Sequence, residues 1–234
     1  ALKLRHYAIA ALLLLVPFGL VAKQPDLGTA ILIGAAGFYV LLFAGLQWKI
    51  ILGLVAIGAA AAPVLWNFLH DYQKKRILTL IDPSSDPLGS GYHIIQASIA
   101  IGSGGPTGKG YLQGTQTHLE FIPEKHTDFI FAVFSEEWGL IGNVVLLILY
   151  LLLIGRGMMI AANASTLFAR LLAGSITLSL FTYAFINMGM VSGIMPVVGV
   201  PLPFMSYGGT ALATLCTGLG ILMSIHTHRM LVKK

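Results

Sequence analysis

Apolar residues run along this chain in long uninterrupted blocks, and polar residues collect between the blocks. A helix needs about 20 predominantly apolar residues to cross the hydrocarbon core of a bilayer. Six blocks approach or exceed that length: Tyr7 to Ala22, Leu27 to Leu46, Ile50 to Leu69, Phe129 to Ile154, Leu171 to Val191 and Met205 to Ile225. Only the fourth carries charge, at Glu136 and Glu137. Pro17 in the first and Pro63 in the third predict bent or tilted helices, which membrane proteins tolerate when neighbours satisfy the freed carbonyls. The pattern predicts an all-α, polytopic membrane protein. It has six transmembrane helices in one membrane domain over residues 1–234, with a large outer loop, residues 71–127, between the third and fourth spans.

Composition points the same way: 56% of residues are hydrophobic and 10% charged, with a mean hydropathy of +0.84. Soluble domains carry about 25% charged residues. Charge then orients the spans, because basic residues in short loops stay on the cytoplasmic side. With the first span running outward, the inner segments hold Lys3, Arg5, Lys49, Arg156, Arg170, Arg229, Lys233 and Lys234 and no acid. Both ends of the chain are then cytoplasmic. The outer segments hold Lys23, Lys74, Lys75, Arg76, Lys109 and Lys125, and all nine acids fall there or in the outer halves of the spans. The net charge of +5 is therefore a topological bias, and nucleic acid is not an expected partner. Cys216 has no intrachain partner and reads as packing. The chain opens with Ala1 and is expected to be the later part of a longer membrane protein.

The outer loop is too long for a simple connection and too apolar for disorder. Tyr92, Ile95 and Ile99 share a helical face, which predicts a short helix over Tyr92 to Ile101 lying on the bilayer or dipping into it. The run Gly102 to Gly110 looks at first like a phosphate-cradling loop. It lacks the glycine at 103 and the hydroxyl at 110 that such a loop needs, and no strand precedes it. What survives is either an anion-accepting turn with Lys109 beside it or a tight turn with a solvated lysine.

The segment Glu120 to Asp128 brings carboxylates, Lys125, His126 and Thr127 to the start of the fourth span. Asp128 stands where water gives way to Phe129, Ile130 and Phe131. It could act as a general base, or Thr127 or Asp128 could cap the helix. Burial would raise the Asp128 pKa and a helix N-terminus would lower it. On an ideal helix Glu136 lies about 80° around from Asp128 and Glu137 about 180°. Glu136 could therefore share a cavity with Asp128 or form an ion pair that stabilises packing. The last outer loop, Gly193 to Thr210, is rich in proline and glycine, so irregular backbone should form a second wall of the site, with Ser206 and Thr210 on the helix that follows. His226 and His228 have metal-like spacing but stand at the cytoplasmic end beside Arg229, and no metal is expected there.

Four segments together resemble the SEDS family of bacterial cell-wall proteins: Gln24 to Ala30, Gln96 to Gly110, Pro123 to Phe129 with Glu136 and Glu137, and Gly193 to Gly209. Glu120 to Gly142 favours the elongation branch of that family over the division branch. Family members have ten spans, so this chain is similar to the last six. The resemblance implies a peptidoglycan glycosyltransferase that polymerises lipid II at the periplasmic face of the inner membrane, for elongation and rod shape. It also implies pairing with a class B penicillin-binding protein transpeptidase, within membrane lipid. The family's essential aspartate matches Asp128, and Lys109, Gln116, Glu124, Lys125, His126, Glu136 and Ser206 are the expected substrate-binding set. Lys109, Lys125 and His126, or a divalent cation such as Mg or Mn, could steady the departing diphosphate; no organic cofactor is expected. Two rival readings are a lipid II flippase and a non-catalytic scaffold for the transpeptidase.

Overall fold

The computed structural model describes residues 4–24, 26–69, 71–87, 89–119, 121–122 and 124–228. Lys3, Glu120, Pro123, Arg229, Lys233 and Lys234, invoked above, lie outside the described residues. Among the described residues the regular structure is entirely helical: α1 (Leu4–Lys23), α2 (Leu27–Phe43), α3 (Trp48–Phe68), α4 (Asp71–Ile81), α5 (Ser90–Ser103), α6 (Thr115–His118), α7 (Ile130–Ala162), α8 (Leu167–Val191) and α9 (Gly209–Thr227). Helices α7, α8 and α9 are long and apolar enough to cross a bilayer, so the protein is integral to a membrane. The first three predicted spans correspond to shorter apolar runs, Ile9–Lys23, Gly28–Phe43 and Trp48–Val64.

Helix α8 is the centre of the bundle, with α2, α7 and α9 packed around it. Its buried face carries Ala173, Gly174, Ser175, Thr177, Ala184 and Asn187, small or polar residues that let neighbours approach where no hydrophobic effect separates protein from lipid. A Cβ at Gly174 would meet the Phe43 ring of α2 at 2.6 Å. Polar cross-links add to this packing: Ser175 Oγ donates to Ala36 O at 3.0 Å, and Tyr39 Oη and Thr182 Oγ1 are 2.5 Å apart. Helix starts follow the local chemistry, with Asp26 Oδ1 accepting from Thr29 N at 3.0 Å and Thr166 Oγ1 from Ala169 N at 3.1 Å. Cys216 is exposed on α9, so it does not pack the core.

The long loop expected between the third and fourth predicted spans is largely helical among the described residues. α5 includes the predicted Tyr92 to Ile101 segment, but the face it turns inward is Gly91, Ile94, Ala97 and Ala100. Ile95 and Ile99 are exposed. The small residues permit close approach to α7, and the large ones stay on the exposed face.

The fourth predicted span is longer than expected and is broken. α7 leaves helical geometry at Gly139, with φ +62° and ψ −159°. At that break the glycine-rich turn inserts. Lys109 N and Gly110 N donate to the carbonyls of Glu136 and Glu137, each at 3.0 Å, and Leu140 N and Ile141 N donate to Gly105 O and Pro106 O. The helix thus gives up two internal hydrogen bonds, Leu140 to Glu136 and Ile141 to Glu137, and its four freed groups make four bonds to a turn some thirty residues upstream in sequence. The cost is offset because every freed group finds a partner. Beyond the break, Leu140 to Ala162 covers about 35 Å, enough for a bilayer. Exposed side chains of α7 begin at Trp138, whereas Phe131, Ala132, Ser135, Glu136 and Glu137 are buried in protein. The two glutamates are therefore enclosed by protein rather than turned to the outside of the bundle.

Candidate active site

The polar residues at the head of α7 fall into two clusters. One surrounds Glu136, which has no exposed surface. Lys109 Nζ reaches Glu136 Oε1 at 2.7 Å, and the same oxygen accepts from Thr115 Oγ1 at 3.1 Å and Gln116 N at 3.0 Å. Oε2 accepts from Thr117 N at 3.4 Å and Thr117 Oγ1 at 3.3 Å. Five donors from residues 109 and 115–117 thus converge on one carboxylate. This is the ion-pair alternative for Glu136, and it removes both readings of the glycine-rich turn. The amides that would have cradled an anion are bonded to α7, and Lys109 is paired with Glu136 and Thr115 rather than solvated. Lys125 Nζ joins the edge of this cluster by donating to Thr117 O at 3.2 Å.

The other cluster surrounds Asp128. The fourth span starts later than expected: Phe129 takes the N-cap position of α7 and no side chain caps it. Neither Thr127 nor Asp128 serves as the cap. Thr127 Oγ1 instead donates to Glu124 Oε2 at 2.9 Å, within a turn closed by Phe129 N to Glu124 O. Asp128 is half-buried, and its carboxylate makes no hydrogen bond among the described residues. Burial, and secondly the nearby negative charge of Glu124, hold its pKa above the usual aspartate value. The direction left open by the sequence is therefore upward, because without a cap the helix end does not offset desolvation.

Asp128 also lies outside α7, so the angular relation to Glu136 drawn on an ideal helix does not apply. Each carboxylate has its own surroundings. Below Phe129, whose ring is buried, the imidazole of His93 on α5 meets it edge-on at 5.9 Å between centroids. Burial pushes the His93 pKa down, so the ring is neutral at neutral pH.

The loop between α8 and α9 forms the facing wall, as its glycines and prolines suggested. Gly199 has φ +71°, and a Cβ there would sit 3.3 Å from Asp128 Oδ2. The loop thus presents bare backbone to the carboxylate. Three side chains pin it. Tyr150 Oη donates to Pro203 O at 2.6 Å, Asn187 Nδ2 donates to Val200 O at 2.6 Å, and Ser206 Oγ accepts from Leu202 N at 2.7 Å while donating to Thr127 O at 2.6 Å. Ser206 does not stand on the following helix as expected, because α9 begins only at Gly209. Tyr207 N is drawn off instead to His126 O at 2.8 Å, which stitches the loop to the Asp128 turn. Two depressions flank that seam. One is lined by Thr29, Gly199, Ser206 and Thr210, the other by His126, Ile130, Ser206 and Tyr207. Asn187, Tyr150 and Gly199 were missed by the sequence reading; an asparagine in an otherwise apolar span was the available signal.

The sites for a metal ion are few. Among the described residues no group of three or more His, Cys, Asp or Glu could hold one. A cation held by one or two carboxylates and a substrate's phosphates needs less. Asp128 and Glu124 provide two carboxylates near enough for Glu124 to raise the Asp128 pKa, which fits that weaker requirement.

Comparison with known proteins agrees with this architecture. The chain is 60% identical over 232 residues to the peptidoglycan glycosyltransferase MrdB of Escherichia coli, covering 99% of this chain and 63% of that protein. It is 43% identical over 180 residues to the peptidoglycan glycosyltransferase RodA of Treponema pallidum, covering 76% of this chain and 41% of that one. Against a probable FtsW of Geobacter metallireducens the identity is 40% over 224 residues, with 95% and 59% covered. Among solved structures, a chain of a peptidoglycan synthase complex that coordinates polymerization and crosslinking superposes with a TM-score of 0.80 at 36% identity, over 98% of this chain and 64% of that one. The rod shape determining protein RodA of Thermus thermophilus gives a TM-score of 0.65 at 30% identity, over 99% and 60%. The chain thus spans somewhat less than two thirds of the relatives it matches. With residues 1–231 also matched by the FtsW/RodA/SpoVE model for cell cycle proteins, this chain belongs to that family and is of its RodA type.

Proposed function

We propose that the protein of which this chain forms part is a peptidoglycan glycosyltransferase that polymerises lipid II at the outer face of the bacterial inner membrane, with Asp128 as general base. The observation that carries this reading is the Asp128 carboxylate: half-buried, without a hydrogen-bond donor among the described residues, and raised in pKa. A carboxylate kept for structure is normally satisfied by donors. One left open beside a depression can accept the proton of an acceptor sugar hydroxyl as that oxygen attacks the anomeric carbon of the donor. A raised pKa makes it the stronger base.

The leaving group is a lipid diphosphate, already a stable anion, so no acid is needed to protonate it. Positive charge serves instead. Lys125 and the exposed His126 stand in the same turn as Asp128 and are the side chains proposed to face the diphosphate. A divalent cation would be held by Glu124 and Asp128 together with the substrate's phosphates, and would neutralise charge on the leaving group. Ser206 orders the facing loop through its two backbone bonds. Lys109, Gln116 and Glu136 shape the outer wall from their own cluster. The polyprenyl tail stays in lipid, which accounts for a sugar-transferring enzyme built from membrane helices. A transpeptidase partner is proposed from the synthase complex that this chain resembles. The periplasmic site and cytoplasmic C-terminus follow from the charge asymmetry of the loops.

The test is Asp128→Asn in the full-length protein with its transpeptidase partner, assayed for polymer formed from lipid II. Asparagine keeps the size of aspartate but accepts no proton. Loss of polymer with normal membrane insertion is expected, and wild-type yield would remove the base assignment.

A further inference from the structure

We infer that Asn187, on α8, is the positioning residue for Asp128, holding the main chain of the base and the facing loop in one fixed relation. The inference rests on the reading of Asp128 as base and adds how the base is aimed. Asn187 has no exposed surface. Its Nδ2 donates both to Asp128 O at 2.9 Å and to Val200 O at 2.6 Å. The Asp128 carbonyl falls before the first residue of α7, so the helix ladder does not order it, and the Asn187 amide does so instead. The second bond fixes Val200, next to the glycine whose bare backbone faces Asp128 Oδ2. One side-chain amide therefore sets both sides of the gap in which the carboxylate stands.

Three features separate this arrangement from ordinary packing. First, an amide has two N–H donors on one nitrogen, the number required to bridge two carbonyls. Second, Asn187 Oδ1 is buried without a hydrogen-bond partner among the described residues. A buried unsatisfied acceptor costs about 1–3 kcal/mol, a cost that an apolar residue of similar size would avoid. Third, of the three side chains that pin the loop only Asn187 bonds to the carbonyl of Asp128 itself: Tyr150 bonds to Pro203 O, and Ser206 bonds one carbonyl earlier, at Thr127 O. Aim matters because misplacing a reacting group by about 1 Å can cost on the order of 10²-fold in rate.

The groups packed around the base are Glu124 in its own turn, neutral His93 from α5 behind Phe129, uncharged Asn187 from α8 and the uncharged Gly199 backbone. Asn187 substitutions therefore act on a site with a single strong charge neighbour, which makes two variants informative. Asn187→Ala frees both carbonyls and lets water reach Asp128. Asn187→Asp keeps the shape, loses the two donors and adds a negative charge behind the base.

Steady-state polymerisation of lipid II is measured against pH for the full-length complex, with rates taken per monodisperse complex recovered. Each variant is expected to lose about 10²-fold in kcat with KM changed less than about threefold. The acid limb of the profile is expected to move to lower pH in Asn187→Ala and to higher pH in Asn187→Asp. These opposite shifts are not produced by a general loss of fold. If kcat in both variants stays within about twofold of wild type, or falls only as melting temperature falls with the limb unmoved, the inference is overturned. Asp128→Asn is run alongside: activity in that variant would overturn the reading of the base, whereas an inactive Asp128→Asn with unchanged Asn187 variants would overturn the positioning role alone.

Discussion

Two carboxylates stand eight residues apart at the head of α7, and the protein treats them in opposite ways. Glu136 is fully buried and takes five donors, all from residues 109 and 115–117 of one loop wrapped over it. Asp128 is only half-buried and takes none among the described residues, although its own carbonyl is held by Asn187. Burial alone would single out Glu136 rather than the proposed base. Satisfaction distinguishes them: a carboxylate with every lone pair occupied holds structure together, while one whose backbone is fixed and whose oxygens are open is available for a proton.

That contrast can be broken by substitution. The largest effect expected is on activity at Asp128, where replacing a general base costs about 10²–10⁴-fold. Asp128→Asn should also melt higher than wild type at neutral pH, since the burial that raises the Asp128 pKa disfavours its charged form. The sign follows from a folded pKa above the unfolded one: ionised Asp128 costs stability at high pH, and the gain in the variant fades as pH falls below the Asp128 pKa. A variant that lost activity and stability together would place Asp128 with Glu136 as a structural residue.

Next in size is Lys109→Met, which strands a buried carboxylate. Removing one partner of a buried ion pair costs about 3–5 kcal/mol, and thermal melting of the detergent-solubilised complex should register it. A melt unchanged from wild type would show that Glu136 does not depend on Lys109. Glu136→Gln is milder, because an amide still accepts from several of the same donors. A loss of about 1–2 kcal/mol is expected, with polymerisation lowered but not abolished. Abolished activity in a well-folded Glu136→Gln protein would move Glu136 into the chemistry.

The two regions also differ in how far they could be read from sequence. Apolar blocks located the three membrane-length helices α7, α8 and α9 and the shorter apolar helices before them, because bilayer thickness sets the length of such blocks. Asp128 was visible as a carboxylate placed immediately before Phe129, Ile130 and Phe131. The break at Gly139 was not visible, since the partners that take up the freed helix groups lie in residues 105–110 and no local pattern announces them. For the same reason the ideal-helix angle that put Glu136 within reach of the Asp128 cavity does not hold. Ser206 was assigned to a helix that in fact starts at Gly209, because the Tyr207 amide is claimed by His126 across the seam. Local periodicity describes elements well; it does not foresee which loop amides will replace a helix's own.

The central claim is that Asp128 is an unsatisfied, partly desolvated base, and the pH dependence of polymerisation tests it most directly. A base works ionised, so the rate must fall as pH drops through its pKa. With full-length protein, transpeptidase partner and lipid II, the account predicts an acid limb centred above the ordinary aspartate value of about 3.9. A rate that stays level down through that ordinary value would contradict it.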